Sequence, residues 1–366
     1  MRVSNWDELR LAAVPAVESA TLSARWARLS LSAQEPSCMQ LPDMQLALLA
    51  VNPKAQVLTV VKADELLLAL PVQSAGSFDR TTSSAFTCCN LPLVSRVMPQ
   101  QAVAAFINNL TRPLLIKDLP TEGAFMRQLT QAQGIVQVMH NWQRAALRVQ
   151  GTYEAWADQN FDTKRRKEFK RLRKRLAEKG DLRLETLNHS SDFNGFVEEY
   201  IELEARGWKG NRGTALKSKN TQSETFRNIC QALHSSGRLR FWLLRLDGKA
   251  IAALYGVVFG TQAQIIKITY DEDFAKYSPG VQIVLDATEA FFAEPGLETV
   301  DSCAIPDHPM INRIWRERIG MADVLVAPAH YPMWKFNSLF IGLKLEAKLR
   351  AMAKLAFLTL TGRKKS

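Results

Sequence analysis

The chain has 366 residues, 47% of them hydrophobic, and a formal net charge of +11 at pH 7, which excludes a disordered or fibrous protein and predicts one large core or two cores of about 150 residues each. Asp7 and Glu8 stand where a signal peptide carries apolar residues, so export is not expected and the cytoplasm is the predicted location. The longest uncharged run, 250–266, contains two glycines and is shorter than the ~20 residues of a membrane-spanning helix, so it predicts two strands.

The first half of the chain predicts a mixture of strands and helices. A long Ser/Thr-rich loop, 73–99, interrupts the regular pattern. From the amino end, the predicted elements are a helix at 16–31, strands at 46–51, 57–61 and 66–72, a helix at 100–110, a strand at 114–117, a helix at 122–133, and strands at 136–140 and 144–149.

A strongly basic helix is predicted between the halves. Residues 164–179 include ten basic and two acidic side chains, with Asp162 or Thr163 as the N-cap and Gly180 as the stop. Phe169, Leu172 and Leu176 form one apolar edge, so the helix packs through that edge and shows cations elsewhere. Three roles stay open for it: a solvated face, a phosphate-binding surface for coenzyme A or tRNA, and a membrane contact.

The second half shows clearer boundaries between its elements. An Asp247-Gly248 turn between two β-rich runs is a strong hairpin signal, so three consecutive antiparallel strands are predicted. The predicted elements are a strand at 182–187, a helix at 192–208, a polar linker at 209–222, a helix ending near 233, strands at 239–246, 250–259 and 263–270, a helix at 281–292, a strand ending at 300–302, a helix at 310–319 and a strand at 323–327. Because the two halves share an order of elements, we predict a structural repeat, whose first copy lacks a Pro-Gly turn before its corresponding helix.

The tripeptide Ser278-Pro279-Gly280 opens the helix that follows the third of these strands. Proline fits the first helical turn, where its missing N–H has no partner to lose, and glycine allows close approach of a ligand. The N–H groups of residues 280–283 then point out of the helix start, which is a suitable site for a phosphate.

The order strand, two helices, three antiparallel strands, turn, helix, strand, helix, strand resembles the GNAT acyltransferase superfamily. Within it the chain is similar to the acetyltransferases of the CelD/BcsL type, which are associated with cellulose biosynthesis. The segments that carry the resemblance are Lys164-Arg-Arg-Lys167, Arg173 to Gly180, Glu204-Ala-Arg-Gly-Trp208-Lys209-Gly210, Tyr277-Ser-Pro-Gly280, and Val300 to His308 with Ile314-Trp315. The implied fold is α/β (α+β), with two GNAT-like domains whose mixed, mostly antiparallel sheets are flanked by helices.

The resemblance also implies domain boundaries and a donor. Residues 1–150 would form a degenerate copy that shapes the acceptor cleft, 151–180 a basic linker, 181–334 the active copy, and 335–366 a basic amphipathic tail. Ser278, Pro279, Gly280, Val281 and Gln282 would hold the pyrophosphate of acetyl-CoA or another acyl-CoA, without a metal. The turn has fewer glycines than the superfamily's usual loop. Fem-type transferases, which also resemble doubled GNAT domains, take their acyl group from aminoacyl-tRNA, so this donor stays open.

Acyl transfer needs a base, an oxyanion donor and an acid for the leaving thiolate. Glu204 is the predicted base, because Trp208 four residues later shares its helix side and can raise its pKa; the alternative is an exposed carboxylate. Asp301 and His308 are further candidate catalytic residues. The alternative for Asp301 is to cap the turn that follows it, and the alternative for His308 is a structural hydrogen bond. Tyr270 and Tyr277 could donate a proton to the oxyanion or the sulfur, or belong to the core. Trp208, Lys209 and Tyr277 are predicted to contact the substrate.

The acceptor suggested by the resemblance is a small molecule or glycan precursor of polysaccharide or cell-envelope metabolism. A different class of function also fits: a non-catalytic module that binds nucleic acid or the inner face of the membrane through segments 164–179 and 335–366. In the second segment Leu345, Leu349, Met352 and Ala356 repeat at helical spacing among cations. This stripe fits an anionic membrane or packing against the body of the protein.

Five cysteines, without a CxxC pair, predict no disulfide framework. Cys88 and Cys89 are adjacent, which permits redox chemistry, but buried small apolar residues are the favoured interpretation.

Overall fold

The structure is a computed structural model that describes residues 9–207, 215–218 and 220–360. Its strands there join in one mixed sheet of the order β1-β2-β3-β4-β6-β13-β7-β12-β11-β10-β9-β8, with β5 paired to β3. The strands are β1 (Leu9–Pro15), β2 (Ala55–Lys62), β3 (Glu65–Ser74), β4 (Asp79–Thr81), β5 (Leu93–Val94), β6 (Leu114–Pro120), β7 (Ile135–Arg148), β8 (Leu182–Thr186), β9 (Leu239–Leu246), β10 (Lys249–Phe259), β11 (Gln262–Tyr270), β12 (Thr299–Asp301) and β13 (Glu317–Ala327).

Helices cover both faces of this sheet. They are α1 (Ser23–Ser32), α2 (Pro42–Ala50), α3 (Pro99–Asn108), α4 (Ala124–Gln131), α5 (Tyr153–Asn160), α6 (Thr163–Ala177), α7 (Phe193–Arg206), α8 (Asn220–Ser235), α9 (Pro279–Phe292), α10 (Ile311–Ile314) and α11 (Met333–Leu360). None of the helices in the described ranges is both long enough and apolar enough to cross a membrane.

The two halves repeat one order of elements, as predicted. Apart from the short β5, which follows β4, the first half runs β1, α1, α2, β2, β3, β4, α3, β6, α4, β7, and the second runs β8, α7, α8, β9, β10, β11, α9, β12, α10, β13. In the first half, one prediction was wrong and one strand was missed. Residues 46–51 lie mainly in α2 rather than in a strand, because a short apolar run has no period that separates the two structures. The strand β1 was not predicted at all.

The halves also exchange their last strands. β13 of the second half lies between β6 and β7 of the first, while β7 continues past it to pair with β12. This exchange explains two further differences. The two strands predicted at 136–140 and 144–149 are one strand, and the helix predicted at 310–319 ends at Ile314 because Glu317 already pairs with Ala146.

The largest hydrophobic core contains side chains from both halves. It includes Phe106 and Phe125 of the first half together with Tyr200 and Phe226 of the second. A second core lies under α9 and includes Trp242, Ile283 and Trp315. The shared core therefore ties the two halves together.

The basic helix α6 starts and packs as predicted. The Asp162 carboxylate accepts a hydrogen bond from the Arg165 N–H at 2.7 Å, and Leu176 is buried. Arg173 donates to both carboxylate oxygens of Asp286 on α9, at 2.9 and 2.7 Å. The helix therefore lies along α9.

The prediction about cysteines was wrong for one pair. Cys88 and Cys303 form a disulfide across 215 residues of sequence, with 5.5 Å between their Cα atoms. The exchange of strands brings the loop before β5 beside the loop after β12, a juxtaposition that cysteine counting cannot detect. Cys38, Cys89 and Cys230 are free and buried, and burial raises the pKa of Cys89 to about 11.

Candidate active site

A bulge in β11 determines which face of the sheet receives Lys267. Tyr255 pairs with Lys267 and Gly256 with Ile265, so Ile266 has no partner on β10. A bulge re-aims the side chains that follow it. Gly256 is required there, because a Cβ atom would lie 2.5 Å from the carbonyl oxygen of Gln264.

Lys267 lies beside the predicted base. Its Nζ is 3.6 Å from Oε1 of Glu204 on α7 and 5.2 Å from the ring centre of Phe86 in the first half. Glu204 is 1% exposed, and its Oε2 accepts a hydrogen bond from the Leu216 N–H at 2.9 Å. The carboxylate is therefore buried beside a cation, and the exposed alternative for Glu204 does not apply.

Two buried tyrosines lie next to this pair. The rings of Tyr200 and Tyr255 are 5.2 Å apart, and neither hydroxyl has a hydrogen-bond partner within the described part of the chain. Burial raises the pKa of both hydroxyls, and the charge of Glu204 adds to the shift. The hydroxyls therefore stay protonated near neutral pH, as donors close to the carboxylate.

The turn before α9 has the geometry expected of a helix start. Ser278 is left-handed, with φ 54°, and Pro279 and Gly280 are buried. A Cβ atom on Gly280 would lie 2.9 Å from Cδ1 of Tyr270 and 3.4 Å from the sulfur of Met310. Packing against Tyr270 is thus a direct reason for glycine at this position.

The next two residues of the predicted donor site differ in their surroundings. Val281 is half-buried, while Gln282 is buried and its amide donates to the Phe169 carbonyl of α6 at 3.2 Å. Tyr277, which precedes the turn, is buried in the core under α9. The first turn of α9 is consequently fixed by contacts with α6.

The first copy contains a degenerate form of the same turn. Met98 is left-handed with φ 54° and precedes Pro99 at the start of α3, as Ser278 precedes Pro279. As predicted, the first copy lacks a Pro-Gly turn, because Gln100 stands in the place of Gly280.

Three arginines lie near one another, one on the first turn of α6 and two in and just after α10. The Arg165 guanidinium lies 5.4 Å from the ring centres of both Phe161 and Phe169, and its pKa is lowered by burial and then by Arg313 and Arg316. Across the described ranges, no carboxylate lies within ion-pairing distance of these three arginines. We call Arg165, Arg313 and Arg316 the arginine cluster.

Asp301 and His308 have structural partners. Asp301 pairs with Arg144 of β7, and its Oδ1 accepts from the Cys303 N–H at 2.9 Å. Burial disfavours the charge on Arg144, but Asp301 keeps the pKa of that guanidinium raised. His308 Nδ1 accepts from the Met310 N–H at 3.2 Å, which caps α10, and burial lowers the pKa of His308.

The end of β11 joins the two parts of the site. Gly280, in the turn before α9, packs on the Tyr270 ring, and a Cβ atom on Gly207, just after α7, would lie 3.9 Å from the Tyr270 carbonyl oxygen. Lys267 lies on β11, three residues before Tyr270, and Glu204 lies on α7, three residues before Gly207. Trp208 and Lys209, predicted to line the pocket, lie outside the described residues.

Several site residues were missed by the sequence analysis. Lys267 is the one charge between Ile265 and Tyr270, a signal that could have been used. Among the residues that the structure describes, no group of three or more His, Cys, Asp or Glu side chains could hold a metal ion.

Comparison with known proteins identifies the architecture. The family description "Acetyltransferase (GNAT) domain" matches residues 163–308. The second copy of the repeated order therefore has a GNAT-like fold, and the first copy repeats its order of elements. No curated protein matches the sequence significantly.

Three solved structures are similar to this fold across both halves, each at low sequence identity. FemX has a TM-score of 0.56 and 11% identity, over 92% of this chain and 98% of its own. A DUF2156 domain assigned to a lysylphosphatidylglycerol synthetase of Agrobacterium fabrum has 0.55 and 11%, over 89% and 95%. L-PGS of Bacillus licheniformis has 0.55 and 8%, over 88% and 95%. At these identities the likeness concerns the fold alone.

Proposed function

We propose that the protein is an acyltransferase that moves an acyl group, such as acetyl, from acyl-CoA to an amine or hydroxyl acceptor. The observation that carries this proposal is the position of Tyr270. Tyr270 contacts the start of α9 through its ring and lies near the end of α7 through its carbonyl oxygen. A donor bound at the start of α9 and an acceptor bound near the end of α7 would therefore meet at the end of β11.

The donor side would bind phosphate groups. The free N–H groups at the start of α9 favour an anion. The arginine cluster would add positive charge near these N–H groups. Arg165 lies over the ring of Phe169, whose carbonyl accepts a hydrogen bond from Gln282 in the first turn of α9. Met310, three residues before Arg313, lies next to Gly280. Guanidinium groups suit phosphates because they donate in a planar fork.

The acceptor side supplies the proton chemistry. We assign Glu204 the removal of the proton from the attacking amine or hydroxyl as that group forms a bond to the thioester carbonyl carbon. Lys267 would stabilise negative charge nearby. When the carbon–sulfur bond breaks, the thiolate takes up a proton from solvent and leaves as the free thiol of coenzyme A, and Glu204 releases its proton to solvent. Tyr270 is assigned the positioning of the donor turn, and Asp301 and His308 the positioning of the loop between them.

The first half would contribute to the acceptor cleft. A cavity of about 280 Å³ lies between the loop that carries Phe86, α2 and the start of α8. Its lining includes Ser83, Ser84, Thr221 and Gln222, which are suitable partners for a hydroxyl-rich acceptor. This polarity supports a sugar-containing acceptor, in keeping with the resemblance to acetyltransferases of the CelD/BcsL type.

Titration calorimetry with coenzyme A and acetyl-CoA tests the donor. We expect Arg165→Gln and Arg313→Gln each to weaken binding by about tenfold, since a hydrogen bond to a charged group contributes about 1.5 kcal/mol or more. Arg227→Gln is the matched control, because Arg227 pairs with Glu198 on the distant surface of α7 and its loss should leave the affinity unchanged. Absence of heat and of a thermal shift with both ligands would reject acyl-CoA as the donor.

Aminoacyl-tRNA is the second candidate donor. The likeness of both halves to FemX favours it, since Fem-type transferases use that donor, and α6 offers a long basic face. Filter binding of tRNA across a range of salt concentrations tests this candidate. Micromolar or tighter binding with a steep salt dependence, together with no response to acetyl-CoA, would replace the acyl-CoA proposal.

A further inference from the structure

The C-terminal helix α11 has two apolar faces. The inner face packs on β6, β7 and β13 through Phe336, Leu339, Phe340 and Leu343. A second set of large apolar side chains on the same helix is exposed, with exposed fractions between 55% and 68%. It consists of Trp334, Ile341, Leu345, Leu349 and Met352. We call this second set the outer stripe.

The outer stripe is one continuous surface. Its members follow each other at steps of seven, four, four and three residues, which places them along one side of a helix with 3.6 residues per turn. The inner residues lie on the opposite side. The predicted stripe of Leu345, Leu349 and Met352 therefore does not pack against the body of the protein, although the sequence left that alternative open.

The outer stripe is bordered by cations. Lys335, Lys344 and Lys348 are exposed on α11. The acidic residue Glu346 pairs with Arg350, while no ion pair is formed by Lys344 or Lys348 with any residue that the structure describes. The surface thus combines apolar side chains at its centre with positive charge at its edges.

We propose that the outer stripe of α11 docks on an anionic membrane surface. Apolar side chains would enter the boundary between headgroups and acyl chains, and the lysines would contact anionic headgroups. Trp334, near the start of the helix, suits that boundary because tryptophan is enriched there. Since the inner face stays packed on the sheet, α11 would lie flat on the surface.

A second copy of the chain fits this surface less well. Pairing two outer stripes in a dimer would bring Lys344 and Lys348 of one copy near the same cations of the other, and like charges repel. An anionic surface has the opposite charge. The proposal does not depend on the identity of the acyl donor, and it holds for an enzyme or a binding module alike.

Vesicle flotation of the full chain tests the proposal. The probes are vesicles of phosphatidylcholine alone and of phosphatidylcholine with about 30% phosphatidylglycerol. We expect flotation with the anionic vesicles only, and its loss at about 0.5 M salt, where charge interactions are screened within a few ångströms.

Two sets of variants locate the contact. The triple variant Ile341→Ser, Leu345→Ser, Leu349→Ser should lower the partition coefficient at least ~tenfold. Val17→Ser with Leu31→Ser is its control, because these side chains are 78% and 71% exposed elsewhere. Lys344→Gln and Lys348→Gln should each lower it about fivefold, whereas Lys170→Gln with Lys174→Gln on α6 should not.

Three results would overturn the proposal. One is the absence of flotation with anionic vesicles at low salt. Another is an equal loss of binding in the α6 control, which would place the contact on that helix. The third is a dimer in analytical ultracentrifugation that the triple variant converts to a monomer, since the outer stripe would then be a protein interface. Donor titration of the triple variant should match the unmodified chain.

Discussion

Glu204 and Lys267 form an ion pair between α7 and β11, with 3.6 Å between Oε1 and Nζ, in which the carboxylate is buried and the lysine side chain is 18% exposed. The pair exists because the bulge at Ile266 turns Lys267 toward α7. Removing charges from water is costly, and the protein keeps this pair at the end of β11, where the proposed donor and acceptor would meet. The predictions for this pair follow from its burial and position.

Replacing Glu204 with Gln should lower turnover while leaving donor affinity nearly unchanged. Glutamine keeps the shape but cannot accept the proton, and general-base catalysis contributes roughly 10²–10⁴-fold in rate. Steady-state kinetics and donor titration measure the two effects separately. Glu202→Gln on the exposed side of α7, where Glu202 pairs with Lys217, is the control. Normal turnover of the Glu204→Gln variant would remove Glu204 as the base.

Replacing Lys267 with Met should destabilise the fold, because the buried carboxylate loses a neighbouring cation. We expect a decrease of about 3 kcal/mol in the free energy of unfolding. In the double variant with Glu204→Gln, we expect part of this loss to be recovered, with a coupling of about 1–3 kcal/mol. Urea unfolding of the four proteins measures the coupling, and strictly additive changes would show that the pair does not interact.

Gly280→Ala should disturb the donor turn through Tyr270. The added Cβ atom would lie 2.9 Å from the ring, and overpacking of this kind costs about 1–3 kcal/mol. We expect lower stability and weaker donor binding, and partial recovery of stability when Tyr270→Leu removes the ring edge. Gly342→Ala is a control, since nothing lies within 4 Å of its Cβ position. Undiminished donor binding by Gly280→Ala would place the donor elsewhere.

Local sequence patterns predicted much of the second half. The Asp247-Gly248 turn correctly predicted the hairpin of β9 and β10, and the N-cap at Asp162 correctly predicted the start of α6. Pro279 gave the start of α9. Each of these depends on neighbouring residues, whose chemistry is visible in the sequence.

The missed features depend on residues far apart in the chain. The placement of β13 between β6 and β7 joins segments about 200 residues apart, and no local pattern records it. The same holds for Cys88 and Cys303 and for Phe86 beside Lys267. The orientation of Lys267 also could not be predicted from the alternation of side chains between the two faces of a strand, because the bulge shifts that alternation by one residue.

The Cys88–Cys303 disulfide should link the two halves in the oxidised protein. Peptide mapping under non-reducing conditions should find the two cysteines in one cross-linked fragment. We expect the variant Cys88→Ser, Cys303→Ser to be about 2–5 kcal/mol less stable than the oxidised protein, because the bond closes a long loop. Reduction should lower the stability of the original chain to a similar degree but leave the variant unchanged. A fully reduced protein after oxidative purification would contradict the pairing.

Stability should decrease on mild acidification because of His308. Burial lowers the pKa of His308 below its usual value of 6.5, so the unfolded chain binds the proton more readily than the folded one. The contribution to stability is therefore complete above about pH 6.5 and is lost as the pH falls from there towards the folded pKa.

His308→Asn keeps a side-chain acceptor for the N–H groups of α10 but cannot titrate. Thermal unfolding between about pH 7.5 and pH 5 should show a smaller decrease for His308→Asn than for the original chain. His189→Asn, which changes an exposed histidine, should leave the profile as it was, and an equal decrease in all three proteins would assign the acid sensitivity to other groups.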